Sequence, residues 1–268
     1  MAGNHSEKPS LRVAATMHLG NNAVQQDAMW LAGESLQHDD LPPQRFDCDD
    51  GLFAVADGLA NSPTPERASR LAVEALAKSL RNHPERTGYD GLPGTRHVRA
   101  AQTALCDALA SHRLPPGSST TLVVAYVQDG RVVVLNSGDS RAYLIRADGG
   151  VKQVSRDHTE LQKLIDSGEA EAGVEYASMY YVLSDCLVAD PEGYDFAVHR
   201  EVIEWHPGDR LILCSDGVHD VLDEAEWLAA MVAEPDPVKM VEGTRQAVLA
   251  RGAPDNFSII ALVCPVQP

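Results

Sequence analysis

The chain is 268 residues long and 44% hydrophobic, which is enough apolar sequence for one sizeable core in a single domain. Its net charge of −17 argues against nucleic acid or an anionic membrane as the main partner. The five cysteines are scattered and form no CxxC pair, which supports neither a disulfide framework nor a zinc site. Since the sequence also has no apolar segment of membrane-helix length and no signal-peptide core, we expect a soluble protein of the cytoplasm.

The first half of the chain is predicted to contain two strands followed by two helices. Residues 1–10 are polar and are expected to form a disordered tail, with a single folded domain over 11–265. Residues 11–19 form an apolar run bounded by glycine, and the run at 51–57 ends in Asp-Gly, the pattern of a buried strand that stops at a turn. Ala and Leu at helical spacing then predict amphipathic helices over 65–80 and 97–109.

From residue 120 onward, β-branched and aromatic runs predict mainly strands. The runs 121–127 and 131–136 are separated by Gln128-Asp129-Gly130, which predicts a hairpin. Further strands are predicted at 142–145, 196–205, 210–214 and 257–263.

Two helices and one irregular segment complete the second half. Helical patterns cover 223–231 and 237–250, and Asp223 and Asp236 stand where N-caps are expected. Residues 159–190 mix a short helical stretch with Gly, Ser and Asp, and we interpret them as a flap. The order of elements is not the β-α alternation of a parallel sheet, and it favours an α+β sandwich of two antiparallel sheets with helices outside.

Several carboxylates directly follow or precede the predicted strands. Asp57 and Asp216 each end an apolar run and precede Gly, and Asp27, Asp139 and Asp255 lie beside other strands. A single Asp-Gly after a strand is usually a turn, and a negative net charge can serve solubility alone. Carboxylates gathered at one edge of a sandwich would repel one another, and Mg²⁺ or Mn²⁺, which prefer oxygen ligands, would remove that repulsion.

Over residues 11–263 the sequence resembles the metal-dependent (type 2C, or PPM) serine/threonine protein phosphatases of the bacterial type. The resemblance rests on seven pieces that occur in the family's order: Gln26-Asp27-Ala28, Leu52-Phe-Ala-Val-Ala-Asp57-Gly58, Ser119-Thr-Thr-Leu122, Gly138-Asp-Ser-Arg-Ala-Tyr-Leu144, Arg156-Asp-His158, Gly208-Asp-Arg-Leu-Ile-Leu-Cys-Ser-Asp216-Gly217 and Asp255-Asn256. It implies an αββα sandwich, with helix pairs outside the two sheets, and a binuclear Mn²⁺ or Mg²⁺ site at one edge.

The resemblance also implies a role for each matching residue. Asp57 would bridge both ions, and Asp216 and Asp255 would complete the first; these three are the candidate catalytic residues. Asp27 and the carbonyl of Gly58 would hold the second ion, directly or through water.

A third ion and the reaction follow from the same resemblance. Asp139 matches the position that, with Asp216, holds a third ion in bacterial members. A hydroxide bridging two ions can attack phosphoserine or phosphothreonine in line, without a Ser or Cys nucleophile. The implied partner is a phosphoprotein, such as a Ser/Thr kinase or its target.

Three departures from the family pattern concern substrate handling. Asn22 occupies the substrate-binding position where the family usually carries the phosphate-gripping Arg. Residues 59–63 contain no His that could protonate the leaving group, and the flap sequence at 183–187 is atypical. The alternative interpretation is therefore a phosphatase-like binding or regulatory module with weak or no turnover.

Overall fold

The computed structural model describes residues 11–46, 48, 51–82, 92–193 and 195–264, so the predicted tail and residue 265 lie outside it. Within this part of the chain the strands are β1 (Arg12–His18), β2 (Asp27–Leu31), β3 (Glu34–Leu36), β4 (Asp40–Phe46), β5 (Leu52–Asp57), β6 (Ser119–Thr120), β7 (Leu122–Gln128), β8 (Arg131–Ser137), β9 (Arg141–Ile145), β10 (Val151–Gln153), β11 (Leu187–Val188), β12 (His199–Glu204), β13 (Arg210–Cys214) and β14 (Phe257–Val263). The helices are α1 (Pro65–Asn82), α2 (Arg96–Ala110), α3 (Glu160–Ser167), α4 (Asp216–His219), α5 (Glu224–Ala233) and α6 (Pro237–Ala250).

The strands form two six-stranded antiparallel sheets and one short pair. The first sheet has the order β10-β9-β13-β14-β1-β4, and the second has the order β12-β8-β7-β5-β2-β3. Strands β6 and β11 pair with each other. Sequential strands such as β7 and β8 are neighbours, whereas β1 lies beside β14 from the far end of the chain.

Three apolar clusters show how the layers stack. Phe53 and Val55 of β5 belong to the cluster between the two sheets, together with Leu213 of β13. The alternate residues of β5, including Ala54, instead pack with α1 and α2. On the far side, Ile212 of β13 packs with residues of α5 and α6. The strand period of two therefore sorts side chains into separate layers, and the predicted αββα sandwich is confirmed.

The hairpin turn and the two helix N-caps form at the residues predicted from the sequence. The hairpin between β7 and β8 turns at Asp129 and Gly130, both with positive φ, as a two-residue hairpin turn requires. Asp223 accepts a hydrogen bond from the Glu226 backbone N–H at the start of α5. Asp236 accepts from the Val238 and Lys239 N–H groups at the start of α6. Both predicted N-caps are confirmed.

One difference lies between β1 and β5. The sequence pattern leaves residues 20–50 without predicted strands, but β2, β3 and β4 form there. Strand β4 contains Pro42 and Pro43, and its register against β1 shifts between Ala15 and Met17. Prolines are tolerated because β4 is the edge strand of its sheet and the bulge takes up the missing N–H pairing.

The segment interpreted as a flap contains α3, a 3₁₀ turn at Ser178–Tyr181 and β11. Met179 and Val182 of this segment are 70% and 59% exposed, whereas Leu187 is fully buried against the second sheet's helices. No helix in the described part of the chain combines the length and hydrophobicity that a bilayer crossing demands.

Candidate metal centre

Asp27 and Asp57 lie opposite each other in the second sheet. Asp27 is the first residue of β2 and Asp57 is the last residue of β5, and the antiparallel register pairs them directly. Directly paired residues point to the same face of a sheet, so both carboxylates are on one side. The backbone of Asp57 is fixed by Thr121, whose N–H donates to the Asp57 carbonyl at 2.8 Å and whose Oγ1 accepts from the Asp57 N–H at 3.1 Å.

Asp27 connects this pair to the other sheet. Its side chain is fully buried, and its Oδ2 accepts a hydrogen bond from the Ser215 hydroxyl at 2.8 Å. Ser215 directly follows β13, and its Oγ also accepts from the Ser258 N–H on β14. Oδ1 of Asp27 is buried and has no hydrogen-bond partner. Burial raises the pKa of Asp27 to about 7, although the nearby hydroxyls of Ser258 and Ser215 act in the opposite direction.

Asp216 approaches Asp57 from the end of β13 in the first sheet. It is the first residue of α4, immediately after the N-cap Ser215. Asp57 and Asp216 lie within hydrogen-bonding reach of each other, and burial followed by the charges of Asp216 and Asp27 raises the pKa of Asp57 well above its usual range. Burial also raises the pKa of Asp216, and its Oδ1 is buried without a partner. Two adjacent carboxylates cannot both ionise here without compensation.

Asp139 approaches the same group from the loop between β8 and β9. Burial and the charge of Asp216 raise its pKa to about 7. The preceding Gly138 N–H donates to Nδ1 of His158 at 3.1 Å, and the following Ser140 hydroxyl lies 2.7 Å from the Thr121 hydroxyl. His219 places Nε2 3.2 Å from the Asp139 carbonyl oxygen. The loop is therefore held on three sides.

Asp255 is held by two asparagines. Its Oδ1 accepts from the Asn22 side-chain amide and from the Asn256 backbone N–H at 2.7 Å. The Asn256 side chain accepts from the Gln26 N–H at 2.9 Å through Oδ1 and donates to the Leu19 carbonyl at 2.6 Å through Nδ2. Asn256 thus ties the segment before Asp27 to the segment before β14.

Gly58 occupies a position where only glycine fits. A Cβ at Gly58 would lie 2.3 Å from the Pro65 carbonyl oxygen at the start of α1. Its N–H donates to the Gln26 carbonyl at 3.2 Å, which holds the residue beside the Asp27 strand. This close approach brings the α1 N-terminus to the end of β5, next to Asp57.

The candidate residues surround a cavity of about 170 Å³. Its walls include Asp57, Gly58, Asp139, Asp216 and Asp255, and Leu183 reaches it from the flap. Asn22 contacts Asp255 but is not one of the described residues that line this cavity. Asp27 lies behind the Asp57 strand end, within electrostatic range of Asp216 and Asp255.

The donor set suits hard divalent cations. Within the described ranges, no three His, Cys, Asp or Glu side chains already stand as a complete cage around one point. The aspartates instead meet in pairs, and Oδ1 of both Asp27 and Asp216 is buried with no partner. A divalent cation such as Mg²⁺ or Mn²⁺ would provide a partner for these buried oxygens and would compensate the repulsion between the carboxylates. The residues present therefore fit such ions.

Sequence reasoning missed the residues that support the aspartates. Ser215, Thr121 and Asn256 each fix a carboxylate or its backbone, and His219 contacts the Asp139 loop. Three of them lie inside quoted motifs, next to an aspartate or at the centre of Ser-Thr-Thr-Leu. Their position in those motifs could have indicated that they belong to the site. It could not have shown which aspartate each one contacts, because those partners are distant in the chain.

Comparisons with known proteins identify the family to which this sequence and fold are similar. A family model described as "Protein phosphatase 2C" matches residues 15–250. The serine/threonine protein phosphatase PstP of Mycobacterium tuberculosis is 29% identical over 210 residues, which cover 78% of this chain and 39% of that protein. The chain thus spans well under half the length of this relative. The serine/threonine phosphatase stp of Listeria innocua is 35% identical over 213 residues, covering 78% of this chain and 82% of that protein.

Solved structures share the architecture along nearly the whole chain. The crystal structure of Mycobacterium tuberculosis PstP/Ppp has a TM-score of 0.78 at 25% identity, and the match covers 96% of this chain and 100% of that one. The catalytic domain of PstP in complex with two manganese ions matches with a TM-score of 0.73 at 25% identity, covering 96% and 99% of the two chains.

Proposed function

Because the chain belongs to the protein phosphatase 2C family, we propose that it hydrolyses phosphoserine and phosphothreonine in proteins, with Mn²⁺ or Mg²⁺ as cofactor. The observation that carries this proposal is the meeting of aspartates from both sheets at one cavity. Asp57 ends β5 of the second sheet and Asp216 lies two residues beyond β13 of the first, and both carboxylates line the cavity. Such a cluster costs stability unless a cation occupies it.

Two ions would be shared among five residues. Asp57, Asp216 and Asp255 would hold the first ion and are the proposed catalytic residues. Asp57, Asp27 and the carbonyl of Gly58 would hold the second, directly or through water. The two manganese ions named for the PstP catalytic domain support this number.

Asp139 and Asp216 would hold a third ion. The charge of Asp216 contributes to the raised pKa of Asp139, which supports a shared site. When bound, the ions supply an activated water as nucleophile and positive charge for the phosphoryl oxygens.

The protein's own residues orient these groups and shape the space for the phosphoester. Thr121 fixes the Asp57 backbone, and Ser215 fixes Asp27 by a 2.8 Å hydrogen bond. Leu183 from the flap and Leu59 add apolar walls to the cavity. The sequence predicts a substrate-binding role for Asn22, and in the structure its side-chain amide donates to Asp255.

The proposed partner is a phosphoprotein, either a Ser/Thr kinase or the target of one, which gives the chain a role in signalling. A reducing, cytoplasmic compartment is supported by the free thiols of Cys106, Cys186, Cys214 and Cys264. Burial raises the pKa of the Cys186 thiol to about 12, which keeps it neutral and unreactive beside the acidic cavity.

A binding or regulatory module with weak turnover is the second candidate. The observation in its favour is Asn22, a neutral amide that donates to Asp255 where the family pattern has a phosphate-gripping Arg. Phosphate release from a phosphothreonine peptide in Mn²⁺ distinguishes the two, with a phosphotyrosine peptide as the comparison. We expect Mn²⁺-dependent release that favours phosphothreonine. Tight peptide binding without release would instead establish the binding module.

A further inference from the structure

The side chain of Asn22 is engaged with a proposed metal ligand. Its Nδ2 donates to Oδ1 of Asp255, and the same oxygen accepts the Asn256 backbone N–H at 2.7 Å. No described residue donates a hydrogen bond to Oδ2 of Asp255. One carboxylate oxygen is therefore occupied twice, and the other is free for a partner in the cavity that Asp255 lines.

The backbones on both sides of this contact are independently fixed. The Asn21 N–H donates to the Ala253 carbonyl at 3.0 Å, and the Asn256 side chain donates to the Leu19 carbonyl at 2.6 Å. Gly20 has a φ of +62°, and a Cβ there would lie 2.0 Å from the Asp255 carbonyl oxygen. Since the two loops are held this closely without Asn22, its side chain acts mainly on the orientation of the Asp255 carboxylate.

We propose that Asn22 is a positioning residue for the metal centre, which turns Asp255 so that Oδ2 faces the ion. This inference rests on the proposed function, because it takes Asp255 as a ligand. A neutral amide suits the task, since it orients a carboxylate without placing a positive charge beside a divalent cation. An Arg at this position would add that repulsion.

The positioning role and a phosphate-gripping role predict different measurements. Loss of a positioning residue weakens binding of Mn²⁺ itself, in the absence of any substrate. Loss of a phosphate contact raises KM for a phosphopeptide and leaves Mn²⁺ binding unchanged. The neighbouring Asn21 offers a matched control, since its side chain donates to the Gly252 carbonyl at 2.8 Å in the same loop pair.

The test is calorimetric titration of Mn²⁺ into the wild type, Asn22→Ala, Asn22→Leu and Asn21→Ala, with metal-free melting temperatures as the check on folding. The Leu variant nearly preserves the volume of Asn while removing the donor. We expect both Asn22 variants to bind one Mn²⁺ about tenfold more weakly, which is about 1.4 kcal/mol, at unchanged melting temperature. Asn21→Ala should bind Mn²⁺ like the wild type.

Three results would overturn the proposal. Unchanged Mn²⁺ affinity with a raised KM would assign Asn22 to the phosphate, and an equal loss in Asn21→Ala would reduce it to loop stability. If the wild type bound no Mn²⁺, the proposed function would be wrong as well. In the first two results the wild type still binds Mn²⁺, so only the role of Asn22 would be wrong.

Discussion

Asp27 and Asp57 face each other across β2 and β5, yet Asp27 is hydrogen-bonded to Ser215, which directly follows β13 of the other sheet. The pair therefore stands at the point where the two sheets meet. Two carboxylates at this position oppose folding unless something compensates their charge, because Asp27 is fully buried, Asp57 is partly buried and both are close to Asp216. Asp57 and Asp216 of this group also line the cavity.

Removal of divalent metal should abolish hydrolysis. With the ions chelated, the nucleophile and the charge that neutralises the phosphoryl oxygens are both lost, while Asp57 and Asp216 repel each other. We expect phosphate release to fall to background in excess EDTA and to return with added Mn²⁺. The melting temperature should rise on Mn²⁺ addition, since binding stabilises the folded state. Hydrolysis that persists in EDTA would exclude the metal mechanism.

Replacement of Asp57 should be the most damaging single change at the site. Asp57→Asn keeps the shape of the side chain but removes the charge proposed to bridge two ions. We expect turnover to fall by more than about a hundredfold. Loss of a residue that only hydrogen-bonds to a metal ligand usually has a smaller effect. Phosphopeptide assays of the metal-loaded variant would measure this.

The matched control is a thiol replacement, Cys106→Ser on α2, which should leave turnover unchanged. Loss of activity in a folded Cys106→Ser protein would point to a thiolate nucleophile instead. On the helix-facing side of the first sheet, burial raises the pKa of Cys214 far above its usual range, so that thiol cannot supply a nucleophile at neutral pH.

The sequence predicted those parts of the fold that have strong local signals. The β-branched runs of β7 and β8, the Asp-Gly turn between them and the cap at Asp236 are all determined by nearby residues, and each was predicted. Strand β2 was missed because its five residues include no β-branched side chain, whereas the equally buried β13 and β14 contain Ile and were predicted. Strand β4 was missed because Pro42 and Pro43 normally indicate a loop.

The candidate site was predicted in its residues but not in its contacts. The aspartates were found because each lies at a strand end or in a motif. Their convergence depends on pairing between distant segments, such as Ser215 with Asp27, which are 188 residues apart. The contact of Asn22 with Asp255 is of the same kind, since it spans 233 residues. Contacts at this range depend on sheet order, which local patterns do not encode.

Asp139→Ala should remove one metal ion and slow the reaction. The substitution deletes a carboxylate proposed to share an ion with Asp216, while the loop stays fixed through Ser140 and His158. We expect Mn²⁺ titration to show one binding event fewer, with the tighter events retained, and turnover to fall about tenfold, which is about 1.4 kcal/mol. Identical stoichiometry, affinity and rate in the variant would contradict this assignment.

The metal-free protein should lose stability as the pH rises towards 7. The pKa of Asp27 is raised in the folded state from 3.8 to about 7, mainly by burial. Between these values the folded state binds more protons than the unfolded state, so the free energy of unfolding falls as pH rises. Each fully retained proton contributes about 1.4 kcal/mol per pH unit. Mn²⁺ should remove most of this dependence, because it compensates the ionised carboxylates.

Asp27→Asn isolates the contribution of that one carboxyl. The amide keeps an oxygen that can accept from Ser215, but it cannot ionise, so the variant should show a shallower loss of stability between pH 5 and about 7. Asp107→Asn on the exposed face of α2 is the control and should retain the wild-type slope. Urea unfolding in EDTA across this range measures both. Equal slopes in the wild type and Asp27→Asn would show that burial of this carboxyl does not govern the pH response.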